Sequence, residues 1–196
     1  MSTPTLSLII PTAGRASLRR TLESAAPQVL SGDECIVVGD TFDGPLPETE
    51  AICRDFPFVT YYGYRGFGHN WGHAQINSAL ERCTGDYILG NDDDDIWTPH
   101  AFDAIRMAAR DYPGRVLLFR FRSYLGGFVF WHTPGPEWIK QGHIGGHCLV
   151  MPNIPGKIGQ RTDRYEADFD QLVETLELHE EPPVWCDYII AEQRPQ

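Results

Sequence analysis

The sequence has few basic residues, no long apolar run and no paired cysteines. Of its 196 residues, 16 are Lys or Arg and 27 are Asp or Glu, so the formal net charge is −11. Such acidity argues against a protein that holds nucleic acid or anionic lipid with its general surface, because those ligands are bound by Lys and Arg. No segment approaches the roughly 18 apolar residues of a membrane span, and the Met-Ser-Thr-Pro start has no feature of a secretory signal.

The cysteines that are present do not form a recognisable framework. There are five of them, an odd number, and no two form a CxxC pair. A zinc site would need closer pairs, so we expect reduced, mostly buried thiols and a cytoplasmic location. The cysteines are Cys35, Cys53, Cys83, Cys148 and Cys186. The 42% hydrophobic content suffices for a packed core, which excludes a disordered acidic tail, and the length favours one domain.

Short apolar runs alternate with amphipathic segments in the first half of the chain. This alternation predicts an α/β fold with a mostly parallel sheet. Predicted strands lie at 6–10, 34–38, 58–62 and 87–89, and predicted helices near 18–29, 48–55 and 76–83. In the second half we predict extended segments at 115–122, 128–131, 148–151 and 184–190. We also predict a helix with Pro99 in its first turn and another helix at 169–176.

Four consecutive aspartates, Asp92 to Asp95, follow directly from the predicted strand at 87–89. Adjacent carboxylates repel one another unless a cation lies among them, and open α/β sheets bind ligands at the carboxyl ends of their strands. The run therefore suits Mg²⁺ or Mn²⁺, which take carboxylate, water and phosphate oxygens. The alternative is that Asp95, and with it Asp92, caps the next helix while the others form a solvated turn.

Two other strand ends carry residues suited to a nucleotide. Asp40 ends the predicted strand 34–38, where a carboxylate can accept hydrogen bonds from a base or a ribose. The loop 11–15, Pro-Thr-Ala-Gly-Arg, follows the first strand; its small residues let a ligand approach the backbone, and Arg15 could meet a phosphate. Both features also occur in ordinary turns, since Asp40 precedes Gly44 and strand-to-helix turns favour Pro, Thr and Gly.

The order of these segments resembles glycosyltransferase family 2, of the GT-A type. The matching stretches are SLIIPTAGR at 7–15, CIVVGD at 35–40, QIN at 75–77 and CTGDYILGNDDDDIW at 83–97. The resemblance covers about residues 5–110 and continues more faintly to about 178. It implies one small, GT-A-like, Rossmann-type domain in which helices flank a mostly parallel mixed sheet. Residues 1–97 would form the half that binds a nucleotide-sugar, and residues 98–196 the half with the acceptor site and the catalytic base.

The resemblance also implies roles for individual residues. The nucleotide-sugar would be bound by Pro11, Thr12, Ala13, Arg15, Asp40, Gln75, Asn77, Asp92 and Asp93, with Asp40 on the base and Asp93 against the ribose. Asp94 would bind the metal ion, with Asp92, the first acid of the motif, as a further candidate ligand. The chain departs from the family at Ala13, where Tyr is frequent, and at Ile76, where Arg is frequent. Charge for the donor phosphates would then come from Arg15, Arg65 or the metal ion.

A general base is expected in the second half. The segment 165–170, Tyr-Glu-Ala-Asp-Phe-Asp, opens the last predicted helix and resembles the ED-type segment of the family. The match assigns the base to Asp168, with Glu166 and Asp170 as substitutes. An inverting transfer needs a carboxylate opposite the leaving nucleotide to take the proton of the acceptor hydroxyl. Acids in a first helical turn are also favoured by the helix dipole, which is the structural alternative.

Histidine and tryptophan supply weaker candidates. His143 and His147, in the loop Gly-His-Ile-Gly-Gly-His, could contact the acceptor, the diphosphate or the metal ion. One tryptophan could form an apolar platform for the face of a sugar, although most tryptophans belong to cores. The tryptophans considered are Trp71, Trp97, Trp131 and Trp138.

Together these features predict a metal-dependent, inverting glycosyltransferase that uses a nucleoside-diphosphate sugar, with uridine diphosphate the commonest choice in the family. One rival is a sugar-1-phosphate nucleotidyltransferase, which would need Lys and more Arg in a Gly-rich loop after the first strand. The other is a non-catalytic, Ca²⁺-dependent glycan-binding module. The acceptor could be a glycan, a small molecule or a modified DNA base. A DNA acceptor would use a local basic patch, for which the candidates are Arg106, Arg110, Arg115, Arg120 and Arg122.

Overall fold

The apolar runs of the first half form the parallel part of a sheet. Strand β1 (Leu6–Thr12) is buried along its whole length. Strands β2 (Glu34–Asp40) and β4 (Tyr87–Gly90) pair with β1 in parallel on its two sides, and β3 (Val59–Tyr64) pairs in parallel with β2. The computed structural model describes residues 2–66, 71–125, 129, 131 and 134–194.

Three helices connect these strands, as a parallel sheet requires. They are α1 (Leu18–Ala25), α2 (Pro47–Arg54) and α3 (His73–Leu80). Each begins near the carboxyl end of the preceding strand, so the loops before the helices gather at one edge of the sheet. Helix α1 buries Leu18, Leu22 and Ala25, three residues at helical spacing, in the core.

The second half extends the same sheet with mixed strand directions. It contributes β5 (Ile96–Trp97), α4 (Ala101–Asp111), β6 (Leu117–Arg122), β7 (Leu149–Pro152), α5 (Ala167–Glu177) and β8 (Val184–Glu192). The eight strands are ordered β3-β2-β1-β4-β7-β6-β8-β5. Strand β7 is antiparallel to both β4 and β6, β8 is parallel to β6, and β5 is antiparallel to β8.

This topology fixes which residues can meet. Because β7 reverses the direction, β6 and β8 run the same way as β1. The carboxyl ends of β1, β2, β4, β6 and β8 therefore lie at one edge together with the amino end of β7; we call it the carboxyl edge. Ligands of open α/β sheets bind at such an edge. The mixed, mostly parallel sheet flanked by helices confirms the predicted fold class.

A few predicted elements differ from the observed ones. Helix α4 begins at Ala101 rather than at Pro99, because His100 adopts a left-handed conformation with φ of 62°. The two-residue strand β5 was not predicted, since two residues carry no periodicity. Two of the four residues of the predicted extended segment 128–131 lie outside the described residues, and Val129 pairs with Arg122 in an isolated antiparallel bridge. The other predicted strands and helices form at nearly the predicted positions.

The cysteines and the lengths of the helices bear on two further predictions from the sequence. All five cysteines are free thiols, and none is fully exposed. Burial raises the pKa of the Cys148 thiol to about 12. No helix among the described residues is long and apolar enough to span a membrane.

Candidate active site

An open pocket of about 310 Å³ lies at the carboxyl edge of the sheet. It is lined by the loop after β1, by the end of β2, by α3 and by the acidic loop after β4. Nine of the predicted site residues line it: Pro11, Thr12, Ala13, Arg15, Asp40, Gln75, Asp92, Asp93 and Asp94. The three other lining residues are Trp71, Gly72 and Arg194. We call this cavity the donor pocket.

The wall of the donor pocket is built by close backbone contacts and a shared hydroxyl. Gly72 precedes α3 with φ of 77°, and a Cβ there would lie 2.5 Å from the Cβ of Pro11, so only glycine fits. The hydroxyl of Thr12 accepts a hydrogen bond from the backbone N–H of Gly14 at 3.0 Å and donates one to Asp93 Oδ2 at 2.6 Å. The loop after β1 is thereby tied to the acidic loop after β4.

The four aspartates alternate between partly exposed and buried positions. Asp93 and Asp95 are only 3% and 2% exposed, whereas Asp92 and Asp94 are partly exposed. Asp93 accepts hydrogen bonds from the Thr12 hydroxyl and from Arg15 Nη1, the latter at 2.8 Å. Burial raises the pKa of Asp93, although Thr12 and Arg15 act in the opposite direction.

Asp95 is held by contacts on both carboxylate oxygens. Oδ2 lies 2.5 Å from Nε2 of His147, and Oδ1 accepts a hydrogen bond from the backbone N–H of Arg194 at 2.6 Å. The alternative interpretation of Asp95 as the cap of the next helix is wrong, because α4 begins at Ala101 and has no side-chain cap. Burial acts to lower the pKa of His147, but its hydrogen bond to Asp95 and the charge of Asp92 outweigh it and raise that pKa.

Asp94 faces two guanidinium groups instead. Its Oδ2 lies 3.3 Å from Arg15 Nη1 and 3.1 Å from Arg194 Nε. Burial acts to lower the pKa of Arg15, while Asp93 and Asp94 outweigh that effect and raise it. The counter-charges of the acidic loop therefore come from two other loops, after β1 and after β8, on the wall of the donor pocket.

Among the described residues, one cluster has the spacing of a metal site. Ligand atoms of Asp92, Asp95 and His147 lie within 4.8 Å of one another. Asp92 and His147 were candidate metal ligands from the sequence, whereas Asp95 was not. Asp94, the first choice from the sequence, lies outside this cluster and pairs with the two arginines.

A second cavity, of about 40 Å³, adjoins the donor pocket. Asp92 lines both cavities, so they share a wall. The remaining lining residues are Ile76, Gly90, Asn91, Gly146, His147, Arg161 and Asp168. Asp168, the predicted base, accepts hydrogen bonds from the backbone N–H of Gly146 at 3.1 Å and from that of Phe169 at 2.8 Å. We call this cavity the base cavity.

The two substitutes for Asp168 do not line the base cavity. Asp170 accepts a hydrogen bond from the Thr162 hydroxyl at 2.6 Å and lies 3.7 Å from an Arg164 guanidinium nitrogen. Glu166 pairs with the same arginine at 3.5 Å. Of the three acids, Asp168 is the one that the fold brings to the donor side.

Several residues of the site have no clear signal in the sequence. Arg161 lines the base cavity, and burial lowers its pKa although Asp168 and Asp92 act to raise it. The loop of Arg161 is held by Asn77, whose side chain donates to the Arg161 carbonyl at 2.7 Å and accepts from its N–H at 2.9 Å. Asn77 does not line the donor pocket. The side chain of Asn91 is buried, and neither polar atom has a hydrogen-bond partner among the described residues.

Of the four tryptophans considered as a sugar platform, Trp71 is the one that lines the donor pocket. Trp97 and Trp131 are buried, and Trp138 is partly buried, whereas Trp71 is 58% exposed and lines the donor pocket. The Trp71 ring packs edge-on against the exposed ring of Tyr165, with centroids 5.3 Å apart. His143 and Arg65 do not line either cavity.

The arginines proposed as a DNA-binding patch are mostly paired with acids. The pairs are Arg106–Asp33, Arg115–Glu181, Arg120–Asp187 and Arg122–Glu192. Arg106 is also buried, and Arg110 is exposed. These residues therefore do not make a free basic surface.

A parallel half-sheet with a pocket at its carboxyl edge, beside an acidic loop, defines this chain as a GT-A-type domain. The family model "Glycosyl transferase family 2" matches residues 7–170, so the chain belongs to that family. The family resemblance predicted from the sequence is confirmed. A search of curated proteins finds no match.

Solved structures agree on the fold. The crystal structure of S. aureus TarS 1-349 has a TM-score of 0.73 at 16% identity, over 96% of this chain and 60% of that chain. The same protein in complex with UDP gives 0.71 at 16% identity over the same shares, and in complex with UDP-GlcNAc 0.74 at 15% identity over 96% and 58%. The chain thus spans about 60% of the length of these structures.

Proposed function

We propose that this domain transfers a sugar from a nucleoside-diphosphate sugar to an acceptor hydroxyl, with inversion and with a divalent metal ion. The observation that carries the proposal is the shared wall between the donor pocket and the base cavity. Asp92 lines both, so a reacting sugar at that wall lies between the nucleotide site and Asp168. Family membership supports glycosyl transfer, and the UDP complexes of TarS support a UDP-sugar as donor.

The donor pocket has the chemistry that a nucleotide needs. Asp40 offers a carboxylate to the base, and Phe42 N–H already donates to its Oδ1 at 3.0 Å, which fixes its orientation. Asp93, which Thr12 and Arg15 hold at the pocket wall, is the residue proposed to contact the ribose. The buried Oε1 of Gln75 has no partner among the described residues, so it can accept a hydrogen bond from the ligand.

We assign the metal ion to Asp92, Asp94 and His147. Asp92 and His147 already lie within one cluster, and Asp94 is the neighbouring carboxylate on the pocket wall. Asp95 shares the cluster, but its two oxygens already contact His147 Nε2 and the Arg194 N–H, so we do not assign it as a ligand. His147 Nε2, which lies 3.9 Å from Asp92 Oδ2, would exchange Asp95 for the ion. An imidazole in the set favours Mn²⁺ over Mg²⁺, which prefers oxygen ligands. A bound ion would neutralise charge on the departing diphosphate.

Asp168 is the proposed base. Hydrogen bonds from Gly146 and Phe169 hold its carboxylate at the base cavity, while Glu166 and Asp170 are engaged by Arg164. Asp168 takes the proton of the acceptor hydroxyl as that oxygen attacks the anomeric carbon and the bond to the diphosphate breaks. We further propose a cytoplasmic location, which the five free cysteines support.

Binding and turnover test separate parts of the proposal. Calorimetry with UDP, CDP, GDP and ADP in Mn²⁺ or Mg²⁺ should show binding of at least one nucleotide, with UDP in Mn²⁺ the tightest. Absence of binding by all four would contradict the proposal as a whole. Turnover is then measured as UDP release from UDP-GlcNAc with a panel of glycans, small alcohols and hydroxymethylated oligonucleotides as acceptors.

The variant Asp168→Asn tests the base. We expect kcat to fall by about 10²–10⁴-fold, the usual contribution of a general base, with UDP affinity unchanged. Glu166→Gln and Asp170→Asn are matched controls on the same helix start and should retain kcat within about threefold. A control that loses as much activity as Asp168→Asn would show that the assignment among the three acids is wrong.

A further inference from the structure

The backbone of Arg194 is fixed at the rim of the donor pocket. Arg194 lies two residues beyond the end of β8, at the carboxyl edge. The N–H of Gln193 donates to the carbonyl of Arg122 at 2.9 Å, and the N–H of Arg194 donates to Asp95 Oδ1 at 2.6 Å. Its φ of 42° lies in the left-handed region, which non-glycine residues rarely adopt, so these contacts enforce its position.

The side chain of Arg194 is much less constrained than its backbone. It is 57% exposed and lines the donor pocket. In the part of the chain that the structure describes, its contacts are Asp94, at 3.1 Å from Nε, and the ring of Tyr124, at 4.8 Å from the guanidinium carbon. Asp94 lines the donor pocket and Tyr124 follows the carboxyl end of β6, so neither contact fixes more than the guanidinium itself, while the backbone stays in place.

Two arginines share one oxygen of Asp94, but they are held differently. Arg15 also binds the buried carboxylate of Asp93 at 2.8 Å, whereas Arg194 has no second carboxylate among the described residues. A divalent cation that binds Asp94 repels both guanidinium groups. Arg194 is the one that can leave, because Arg15 keeps Asp93.

We propose that Arg194 exchanges partners, from Asp94 in the metal-free protein to the diphosphate of the donor once a cation occupies Asp94. This inference rests on the proposed function. A guanidinium pairs with phosphate through two parallel hydrogen bonds, and the fixed backbone keeps it within reach of the pocket. Arg194 thus competes with the cation for Asp94 and joins it in binding the diphosphate.

The exchange predicts effects of opposite sign on two ligands. In Arg194→Gln, Mn²⁺ without nucleotide should bind about 2–5-fold more tightly, because an exposed competing ion pair is lost. UDP in saturating Mn²⁺ should bind about 10–100-fold more weakly, the loss expected for one charged hydrogen-bonded contact. Calorimetry measures both. Arg194→Lys, which keeps the charge without the planar fork, should lie between the variant and the wild type for UDP.

The matched control is Arg122→Gln, which removes the same charge from a residue that pairs with Glu192 and does not line the donor pocket. It should change both affinities by less than twofold. If Arg194→Gln weakens both ligands, tightens both or changes neither, the exchange is wrong. If the wild type itself fails to bind UDP, the proposed function is what fails, and the two failures are therefore distinguishable.

Discussion

Removal of the Asp95 carboxylate should destabilise the fold itself, before any effect on chemistry. The Asp95→Ala change deletes a contact with His147 at 2.5 Å and a hydrogen bond from the Arg194 backbone at 2.6 Å. Hydrogen bonds to a charged group contribute about 1.5–3 kcal/mol each, and breaking one side of a buried pair costs about 3–5 kcal/mol. The first route gives about 3–6 kcal/mol and the second about 3–5 kcal/mol, so we expect the free energy of unfolding to fall by about 3–5 kcal/mol.

Equilibrium unfolding in urea, with a chelator present to remove metal ions, measures this quantity. With a slope of about 2 kcal/mol per molar, the midpoint should move down by about 1.5–2.5 M. Asp95→Asn keeps an acceptor for the Arg194 N–H, so its loss should be smaller, about 1–2 kcal/mol.

Asp94→Ala is the control, since it removes an identical side chain one position away. Its partners Arg15 and Arg194 are largely exposed, and exposed ion pairs contribute about 0–1 kcal/mol. We expect unchanged stability and weakened Mn²⁺ binding. Equal stability of Asp95→Ala and Asp94→Ala would refute the division of the run into supporting and pocket-facing carboxylates.

Two further predictions concern stability. Burial acts to raise the pKa of Glu34, but hydrogen bonds from β1 and from Thr84 outweigh it and lower the pKa. The Glu34 carboxylate therefore stabilises the fold above its unfolded pKa of about 4.3. This contribution to the free energy of unfolding is lost as the pH falls through the folded pKa. Urea midpoints from pH 5 to pH 3 should fall less in Glu34→Gln, and identical profiles would contradict this. Gly72→Ala should lower stability and UDP affinity through its clash with Pro11, whereas Gly142→Ala, with the same φ of 77° and no atom within 4 Å, should affect stability alone.

Local patterns in the sequence predict the parallel half of the sheet well. The runs that became β1, β2 and β4 are buried strands, and apolar runs before Gly or Pro are the simplest signal for such strands. Since ligands collect at the carboxyl ends of parallel strands, the donor pocket follows from the same pattern. The residues of the donor pocket could be predicted because most of them follow a strand closely in the sequence.

The base side depends on contacts across the sheet, which no local pattern encodes. His147 reaches the site because β7 is reversed, so that its amino end lies where the other strands end. Arg194 arrives from the end of β8, about 100 positions after the aspartates, with which it shares the pocket rim. Arg161 comes from an irregular loop that Asn77 holds. Sequence reasoning named His147 as a candidate metal ligand without its partner Asp95, and it missed both Arg161 and Arg194.

The four residues Asp92 to Asp95 are identical in type, but each position in the run has its own contacts. Because all four residues are the same, deletion of one would leave a chain that still reads Asp-Asp-Asp and still matches a short acidic motif. Thr12 and Arg15, however, contact the second aspartate of the run, and His147 contacts the fourth. A shortened run would have to exchange the carboxylate that anchors a loop with the one that faces the pocket. A search for the acidic motif alone would therefore accept such a chain, although its aspartates would be displaced by one position relative to their partners.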